Sequence, residues 1–599
     1  MPSSRSPLRV PWILPAAFLA AGLATAIPGA AGAAGLRVDE PETAVTERTL
    51  ATLSAASEAA SGVKIWVYFT DKNLFDERSY ERRIEEVAAE FDPHARARRA
   101  KVFKGAPADF HDIPVHEEYV TRLEELGVSV LRRSRWLNAV SGRASLETWR
   151  RVADLPFLRK LTPVGRGASS RSRPSETATP PAGRGGLDYG PSFDQLDEIR
   201  VVAAHDAGWT GAGVRIAMLD TGYYRDHAAF AQLIAEGRLL AQYDFINDDG
   251  ETQDEPGDPE GQHFHGTVTW SIAGGFDEGE LIGAAYGADF LLAKTEDTSM
   301  EAPIEEDNWV AGMEWADGLG ADVISSSLGY FDWYTYEDLD GNTAVTTIGA
   351  DVAAGRGIVV CTAAGNMGTQ DWFYIIAPAD ADSVVTVGGT EPDGSMWLDS
   401  SHGPTYDGRT KPEVVARGSQ TYGATPPEDQ KGEGYRSFQG TSVSTPLVAG
   451  AAALLLEAFP AWTPMMVREA LMMTADNAAN PDNHRGWGRI DVIAALEWAA
   501  AVPDGDDLAR NRPILRVAPN PLASSAILSF ATPVEGPALL DILTAGGRRL
   551  DRVVVADPSR PFHWRAVDAA GAPLSPGVYL IRVTGGERSS PGAKLVLSR

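Results

Sequence analysis

Short apolar runs alternate with helical segments from residue 187 to about residue 500, and this pattern limits the fold more than any other feature. The runs, at 214–219, 290–293, 323–327, 358–362 and 384–387, are largely apolar and do not alternate with polar residues. Helices fit the segments 307–319, 344–355, 442–458 and 464–474. Strands that are apolar on both sides and alternate with helices predict an α/β fold, a parallel sheet with helices on both faces. In such sheets, chemistry collects at the carboxyl ends of the strands.

Reactive side chains stand at or near those ends. Asp220 follows the first run in Leu-Asp-Thr-Gly, and Asn366 comes soon after the 358–362 run. His265 lies in His-Phe-His-Gly-Thr, and Ser442 lies in Gly-Thr-Ser, where an apolar helix begins. A serine hydroxyl becomes a good nucleophile when an imidazole takes its proton, and that imidazole needs a carboxylate to hold its tautomer. The chain therefore offers the three groups of a nucleophilic triad, and the Asn366 amide could donate hydrogen bonds to an oxyanion.

Other interpretations of these residues can be weighed from the sequence. Asp-Thr-Gly also occurs in aspartic proteases, but their chemistry needs two facing aspartates, and the chain has no second Asp-Thr-Gly or Asp-Ser-Gly. An esterase of the α/β-hydrolase type would need Gly-x-Ser-x-Gly, which does not occur in the chain. His263 is a second candidate base, but only His265 is followed by Gly-Thr.

Taken together, the four segments resemble the subtilisin-like serine proteases, or subtilases. The resemblance spans about 200–497 and ends in Gly-Trp-Gly-Arg-Ile-Asp at 486–491. The chain order of Asp, His and Ser is also the order found in subtilisin. By this resemblance Asp220 is the carboxylate, His265 the base, Ser442 the nucleophile and Asn366 the oxyanion donor. The resemblance implies a serine endopeptidase that hydrolyses polypeptides through an acyl-enzyme and needs no cofactor for its chemistry.

The resemblance also assigns two substrate-binding segments. Ser327, Leu328 and Gly329 resemble the extended segment that pairs with the substrate backbone. Ala364 and Gly365 resemble the opposite wall of the S1 pocket. Residues beside the triad depart from the family pattern, since Val-Ser follows Ser442 where Met-Ala is usual. The preferred P1 side chain therefore cannot be carried over from the family.

Charge divides the chain and excludes one class of partner. The whole chain carries a formal charge of −29, which opposes binding to the phosphates of nucleic acid. Residues 63–166 hold 20 basic and 16 acidic residues, whereas residues 187–500 hold 14 and 51. The basic segment 63–166, with Arg-Trp-Leu-Asn-Ala-Val-Ser at 135–141, resembles a subtilase propeptide. That resemblance implies a small α+β domain that acts as an intramolecular inhibitor and makes the protein a zymogen.

The amino-terminal region has the pattern of an export signal. Arg5 and Arg9 precede an apolar run from 10 to 34 that contains Ala-Gly-Ala, a small-residue cleavage site, at 31–33. Residues 1–33 are therefore interpreted as a signal peptide, and the protein as secreted or held at the cell surface. Residues 167–186 are rich in Ser, Thr, Pro, Arg and Gly and are interpreted as a linker to a catalytic domain at 187–502.

The tail at 513–599 has several short apolar runs between Gly and Pro turns, which predict a small β-sandwich. It is similar to the Ig-like carboxyl-terminal modules of exported bacterial enzymes, including those that address cargo to the type IX secretion route. The resemblance leaves three roles open for this module: sorting through an export machinery, adhesion, or spacing.

Two further hypotheses concern metal and activity. Seven acidic residues crowd the segment 248–260, and carboxylate oxygens suit calcium, although a solvated acidic loop is the simpler interpretation. Ala229 stands where the family commonly has a calcium-binding aspartate, so a structural calcium ion is an option whose place the sequence does not give. The alternative function is a catalytically inactive surface binding or adhesion protein that keeps the fold, but the intact Asp220, His265, Ser442 and Asn366 favour the enzyme.

Overall fold

The protein is represented by a computed structural model. It describes residues 63–103, 105–164, 166–167, 186–298, 304–331, 333–427 and 434–501, and, in the tail, 515–518, 525–530, 538–544, 549–555, 562–567, 574, 577–585 and 588–597. The predicted signal peptide at 1–33 and all but the ends of the predicted linker at 167–186 lie outside the described residues.

The first domain is a four-stranded antiparallel sheet with helices packed on one face. The sheet order is β2-β3-β1-β4. Its strands and helices are β1 (Val63–Phe69), α1 (Glu77–Glu90), α2 (Pro93–Arg99), α3 (Glu117–Glu125), β2 (Ser129–Ser134), β3 (Ala139–Ala144), α4 (Leu146–Val152) and β4 (Leu158–Pro163).

The charged segment that follows β1 forms two helices, α1 and α2, with a break between them. Asp76 accepts a hydrogen bond from the Ser79 N–H and caps α1, and Asp92 does the same for His94 at the start of α2. Pro93 lies between the two helices. Proline disfavours helical backbone in the residue before it, yet suits the first position of a helix, so α1 ends and α2 begins there.

The central domain contains the predicted parallel sheet, now seen with seven strands in the order β15-β14-β13-β12-β6-β10-β7. The pattern missed the two edge strands, β7 and β15. Most of β7 is partly exposed and β15 has only four residues, so neither carries a long apolar run. The strands are β6 (Arg215–Asp220), β7 (Leu239–Asp244), β10 (Asp289–Lys294), β12 (Val323–Ser326), β13 (Val359–Ala363), β14 (Val385–Thr390) and β15 (Val414–Arg417).

Helices cover both faces of this sheet, as predicted. The helices of the domain are α5 (Phe193–Asp197), α6 (Val201–Asp206), α7 (Ala231–Ala235), α8 (Phe264–Gly274), α9 (Glu306–Gly318), α10 (Val345–Gly355), α11 (Thr441–Ala458), α12 (Pro464–Met473) and α13 (Val492–Ala501). Short antiparallel pairs complete it: β5 (Arg166–Gly167) with β11 (Ile304–Glu305), β8 (Phe276–Asp277) with β9 (Leu281–Ile282), and β16 (Thr421–Thr425) with β17 (Gly434–Phe438).

The two faces have different cores. On one face, α8, α11, α12 and α13 bury a continuous apolar cluster that includes Trp270 and Leu454. Within the described parts of the chain, α11 is the one helix long and apolar enough to span a membrane, and 89% of it is buried inside the protein. It is therefore accounted for as a core helix.

On the other face, α9 and α10 lie between the sheet and the first domain. Trp66 and Tyr68 of β1 join Trp136 and Leu137 in one apolar cluster with α9, α10 and the sheet. Alternate residues of β1, including Ile65 and Val67, face the helices of their own domain. Strand β1 is thus buried on both sides, which explains its unbroken apolar run.

A carboxylate of α9 is the centre of the charged contact between the domains. Asp317 receives Arg98 at 2.5 Å, Arg99 at 2.6 Å and Arg135 at 3.0 Å, all from the first domain. The Asp317, Arg98 and Arg99 side chains are completely buried. Burial alone would raise the pKa of Asp317, but the guanidinium groups outweigh it and hold that pKa below its usual value.

Further polar contacts surround this centre. Glu314 accepts hydrogen bonds from the Ser134 hydroxyl at 2.6 Å and from the Trp136 N–H at 3.2 Å. At the rim, partly exposed pairs join Arg356 to Asp109 at 2.7 Å and Arg132 to Asp248 at 2.9 Å. The interface therefore has buried ion pairs and apolar rings at its centre and hydrated pairs at its edge.

The described strands of the tail form two antiparallel sheets, of three strands in the order β18-β19-β22 and of four in the order β21-β20-β23-β24. They are β18 (Leu515–Ala518), β19 (Ser525–Phe530), β20 (Ala538–Thr544), β21 (Arg549–Val555), β22 (Phe562–Arg565), β23 (Gly577–Gly585) and β24 (Arg588–Leu597). The β content agrees with the sequence pattern, and the predicted sandwich stays a prediction.

Candidate active site

Asp220 is the last residue of β6, at the carboxyl edge of the sheet, and is buried. One carboxylate oxygen, Oδ1, accepts a hydrogen bond from the Thr221 N–H at 2.8 Å and lies 2.6 Å from Nδ1 of His265. The other, Oδ2, accepts from the Thr269 hydroxyl at 2.9 Å. The carboxylate is therefore held in one orientation, facing the imidazole.

His265 lies in the first turn of α8, a helix that the sequence pattern did not predict. Its side chain is 34% exposed, so the ring can meet a ligand from the solvent side. Burial opposes charging of the ring, but the Asp220 carboxylate, its hydrogen bond and the nearby Glu296 outweigh that effect and raise the pKa of His265. His263, the alternative base, contacts Asp254 instead, at 2.9 Å from Nδ1 to the carboxylate.

Ser442 is the second residue of α11 and is almost completely buried. Its hydroxyl oxygen lies 3.4 Å from the Ser327 carbonyl oxygen, and the Ser327 hydroxyl donates to the Ser442 carbonyl at 2.8 Å. Gly440, the residue before α11, has φ of 141°, a backbone conformation that residues other than glycine rarely adopt. Glycine there lets the chain turn into the helix and place Ser442 in the first turn, where backbone N–H groups lack helical partners.

Asn366 stands three residues beyond the end of β13 and is oriented by the residue before Ser442. Its Oδ1 accepts hydrogen bonds from the Thr441 N–H and the Thr441 hydroxyl, both at 2.9 Å. Because these bonds occupy the amide oxygen, the amide nitrogen points away from Thr441. The Thr441 hydroxyl also accepts the Gly365 N–H at 3.2 Å. Thr441 therefore links the β13 loop to the start of α11.

The two predicted substrate-binding segments lie on either side of one segment, 375–377. The Ile376 N–H donates to the Ala364 carbonyl at 3.2 Å, on the side of Ala364 and Gly365. Ala377 exchanges two backbone hydrogen bonds with Tyr330, directly after Gly329. Leu328 is buried, at 5% exposed. The residues predicted as walls thus share one connecting segment, which sequence reasoning did not identify.

The chain directly after the first domain pairs with the central domain. Strand β5 pairs antiparallel with β11, so that Gly167 lies opposite Ile304 and Arg166 opposite Glu305. Strand β11 directly precedes α9. The chain that follows the first domain therefore approaches the central domain as an added strand, a recurring way for a protein to bind an extended peptide.

Glu296 is a further titratable group near the pair that Asp220 and His265 form, and no sequence motif marks it. It stands two residues beyond β10 and is 2% exposed. Burial, and then the charge of Asp220, raise the pKa of Glu296 to about 8. The position after a strand end was its only sequence signal.

One cluster of acidic side chains has the residue types of a cation-binding site, but a lysine side chain already lies within it. Oxygen atoms of Asp244, Asp249 and Glu255 lie within 4.8 Å of one another. Lys294 donates to Asp244 and to Asp258, each at 2.7 Å. Since this ammonium group neutralises the buried carboxylate of the cluster, the fit to a calcium ion is poor.

Comparison with known proteins gives matches to two consecutive parts of the chain. Residues 211–488 match the Subtilase family, and residues 64–178 match the Peptidase S8 propeptide domain of Bacteroidota. Subtilisin E of Bacillus subtilis (strain 168) is 31% identical over 304 residues, which cover 50% of this chain and 70% of that protein. Subtilisin DY of Bacillus licheniformis is 32% identical over 312 residues, covering 52% and 99%. Serine protease AprX of Bacillus subtilis (strain 168) is 31% identical over 307 residues, covering 47% and 66%.

The seven-stranded fold and these matches define the class of protein first: a serine-type endopeptidase with a propeptide domain. Within that class, the chain belongs to the subtilase family. The predictions of the central α/β fold, of a serine endopeptidase and of a propeptide domain are thereby confirmed.

Proposed function

We propose that this endopeptidase is exported as a zymogen and hydrolyses polypeptides through a triad of Asp220, His265 and Ser442. The observation that carries the proposal is the 2.6 Å contact between Asp220 and the His265 ring at the carboxyl edge of the sheet. Ser442 lies in the first turn of α11. Thr269 and Thr221 hold the carboxylate from two other directions.

In the proposed reaction, His265 takes the proton of the Ser442 hydroxyl as its oxygen attacks the substrate carbonyl carbon. The imidazolium that forms is stabilised by Asp220, in keeping with the raised pKa of His265. His265 then gives the proton to the leaving amine, and the acyl group stays on Ser442. Water, deprotonated by the same ring, releases the acyl group and restores the hydroxyl.

Asn366 is proposed to donate its amide hydrogens to the oxyanion. Thr441 holds the amide oxygen with two hydrogen bonds, so the nitrogen end is oriented before substrate arrives. Such preorganisation is what makes an oxyanion donor effective, because no reorganisation is needed in the transition state. The N–H groups at the start of α11 add a second source of donors.

Residues 63–166 are proposed to inhibit this site until they are removed. Two observations support inhibition in cis: the packing of the first domain on α9 and α10, and the pairing of β5 with β11. In β5, residues 166–167 pair with the central domain in the way that an extended peptide can.

The remaining domain assignments are also proposals. Residues 1–33 act as a signal peptide, 167–186 as a linker, 187–502 as the catalytic domain and 513–599 as an accessory Ig-like β-sandwich. The tail has its own strands and sheets, which supports a separate module that could engage an export machinery, adhere or act as a spacer. The reaction as proposed uses no metal.

The decisive test is the identity of the nucleophile. Incubation with a serine-reactive phosphonate followed by peptide sequencing is expected to find the label on Ser442. Ser442→Ala should abolish both self-processing and peptide hydrolysis, because the attacking oxygen is lost, while circular dichroism shows an intact fold. Maturation of the Ser442→Ala protein at the wild-type rate would contradict the assignment and favour an inactive binding protein.

The role of Asn366 has a separate kinetic signature. Asn366→Leu should lower kcat by about 10²–10³ with KM nearly unchanged, because the hydrogen bond forms only in the transition state. Steady-state kinetics on one peptide substrate measure both constants. A mutant with raised KM and unchanged kcat would assign Asn366 to substrate binding instead.

A further inference from the structure

The side chain of Ile376 lies between the two walls assigned to the S1 pocket. A methyl group placed on Gly329 would lie only 2.3 Å from Ile376 Cδ1 and 2.6 Å from Cγ1. A methyl group on Gly365 would lie 3.0 Å from Cγ1 and 3.1 Å from Cδ1 of the same isoleucine. Both glycines therefore contact one apolar side chain, and that side chain occupies the space between them.

Ile376 cannot easily leave this position, because its backbone is tied to both walls. Its own N–H donates to Ala364 at 3.2 Å. The next residue, Ala377, accepts from the Tyr330 N–H at 2.8 Å and donates to the Tyr330 carbonyl at 3.1 Å. Isoleucine is also stiff, since its branched Cβ restricts rotation about χ1. Residues 376–377 therefore hold the Ile376 side chain at a fixed position between the two walls.

We propose that Ile376 makes the S1 pocket shallow, so that the enzyme cleaves after small residues such as alanine and serine and disfavours large aromatic ones. This inference rests on the proposed function and specifies its substrate class. A large P1 side chain would have to displace a buried isoleucine from a packed site, and overpacking of that kind is unfavourable. A methyl or hydroxymethyl group fits above it.

The chemistry of the pocket agrees with uncharged P1 residues. The atoms nearest to the two walls belong to Ile376, to the Ala377 carbonyl and to the Ser401 hydroxyl. That hydroxyl already accepts the Met367 N–H at 3.0 Å. None of these groups carries a charge that would select a basic or acidic side chain.

The test compares P1 residues in otherwise identical chromogenic peptides, with alanine, serine, leucine or phenylalanine at P1. For the wild-type mature enzyme, kcat/KM for alanine should exceed that for phenylalanine at least tenfold. Ile376→Gly should raise kcat/KM for phenylalanine at least tenfold while that for alanine does not rise. A pair of matched variants controls for general loosening: Ile376→Val should shift the preference toward leucine, whereas Ile375→Val should leave it unchanged.

The outcomes separate this inference from the function on which it rests. A wild-type enzyme that is labelled by the phosphonate at Ser442 but prefers phenylalanine overturns the role of Ile376 and leaves the proposed function intact. Absence of both labelling and hydrolysis overturns the proposed function. If Ile376→Gly does not fold, the wild-type preference and the two valine variants still decide the matter, because equal effects of Ile375→Val and Ile376→Val contradict the proposal.

Discussion

The two faces of the central sheet are covered in different ways. One face is sealed by α8, α11, α12 and α13, and residues such as Trp270 and Leu454 make it apolar throughout. The other face carries α9 and α10, and beyond them the propeptide, whose contacts combine apolar rings with ion pairs. One covering is part of the catalytic domain, whereas the other belongs to the propeptide domain, which we propose is removed on maturation.

The difference shows how a strong contact can still be a separable one. An apolar core is stabilised as long as the chain is folded, because its exposure to water is unfavourable. Charged groups such as Asp317 and Glu314 would regain hydration once the propeptide leaves, which lowers the cost of exposing α9. While the propeptide is present, the same buried charges are costly to leave unpaired, which makes the docking specific.

The strongest test of this contrast removes the central charge of the interface. Asp317→Ala should weaken inhibition by the added propeptide by about 3–5 kcal/mol, or roughly 10²–10⁴-fold, because Arg98 would be buried without an anion and Arg99 would keep only Asp112 of its own domain. Activity of the mature enzyme on a small peptide should not change. The inhibition constant of the propeptide 63–166 in trans measures the effect.

A matched control shows whether charge alone explains the result. Glu236→Ala also removes a carboxylate from the central domain, but the partners of Glu236 are Arg238 and Gln232 in the same domain. Inhibition of this variant should equal that of the wild type. If Asp317→Ala binds the propeptide as tightly as Glu236→Ala does, the buried ion pairs do not hold the interface.

A core substitution on the opposite face should act differently. Leu454→Ala is expected to lower the free energy of unfolding by about 2–5 kcal/mol, because it leaves a cavity at a fully buried site in α11. The loss should be equal with and without bound propeptide, measured by denaturant unfolding of the phosphonate-blocked enzyme. A change in the inhibition constant of the propeptide would show that the two faces are coupled.

Added salt should have the smallest effect on propeptide binding. It should act on the partly exposed ion pairs at the edge of the interface. The field between the basic propeptide and the acidic body is screened within about 8 Å at physiological ionic strength. Added salt is therefore expected to slow propeptide association several-fold, through exposed pairs such as Arg132 with Asp248. Dissociation should change little, since the Asp317 cluster is buried. Stopped-flow inhibition at low and high salt gives both rates, and salt-independent association would contradict the electrostatic part.

Much of the central fold could be predicted from the sequence, because strands buried on both sides must be apolar throughout. The helix that carries His265 was not predicted. Its segment contains two glycines, two threonines and one valine, and these have weak helix propensity, so packing against the sheet and α11 decides its structure. Edge strands β7 and β15 were missed for the related reason that exposed or short strands carry little pattern.

The residue types of the candidate site were also predicted, but their supporting contacts were not. Thr269 and Thr441 orient Asp220 and Asn366 through hydroxyl groups that have no distinctive sequence signal. Ile376 stands in an ordinary apolar segment, and its place between two glycines depends on backbone hydrogen bonds between loops far apart in sequence. Such contacts arise from tertiary structure and have no local pattern.

In the proposed zymogen, the pairing of β5 with β11 holds the end of the propeptide on the same molecule that would cleave it. A tethered peptide experiences an effective concentration in the millimolar range when the connection is short and flexible, however dilute the protein is. Self-processing within one molecule would then be a first-order reaction, with a half-life that does not depend on protein concentration. An isolated molecule is expected to mature at the same rate as one in a concentrated solution.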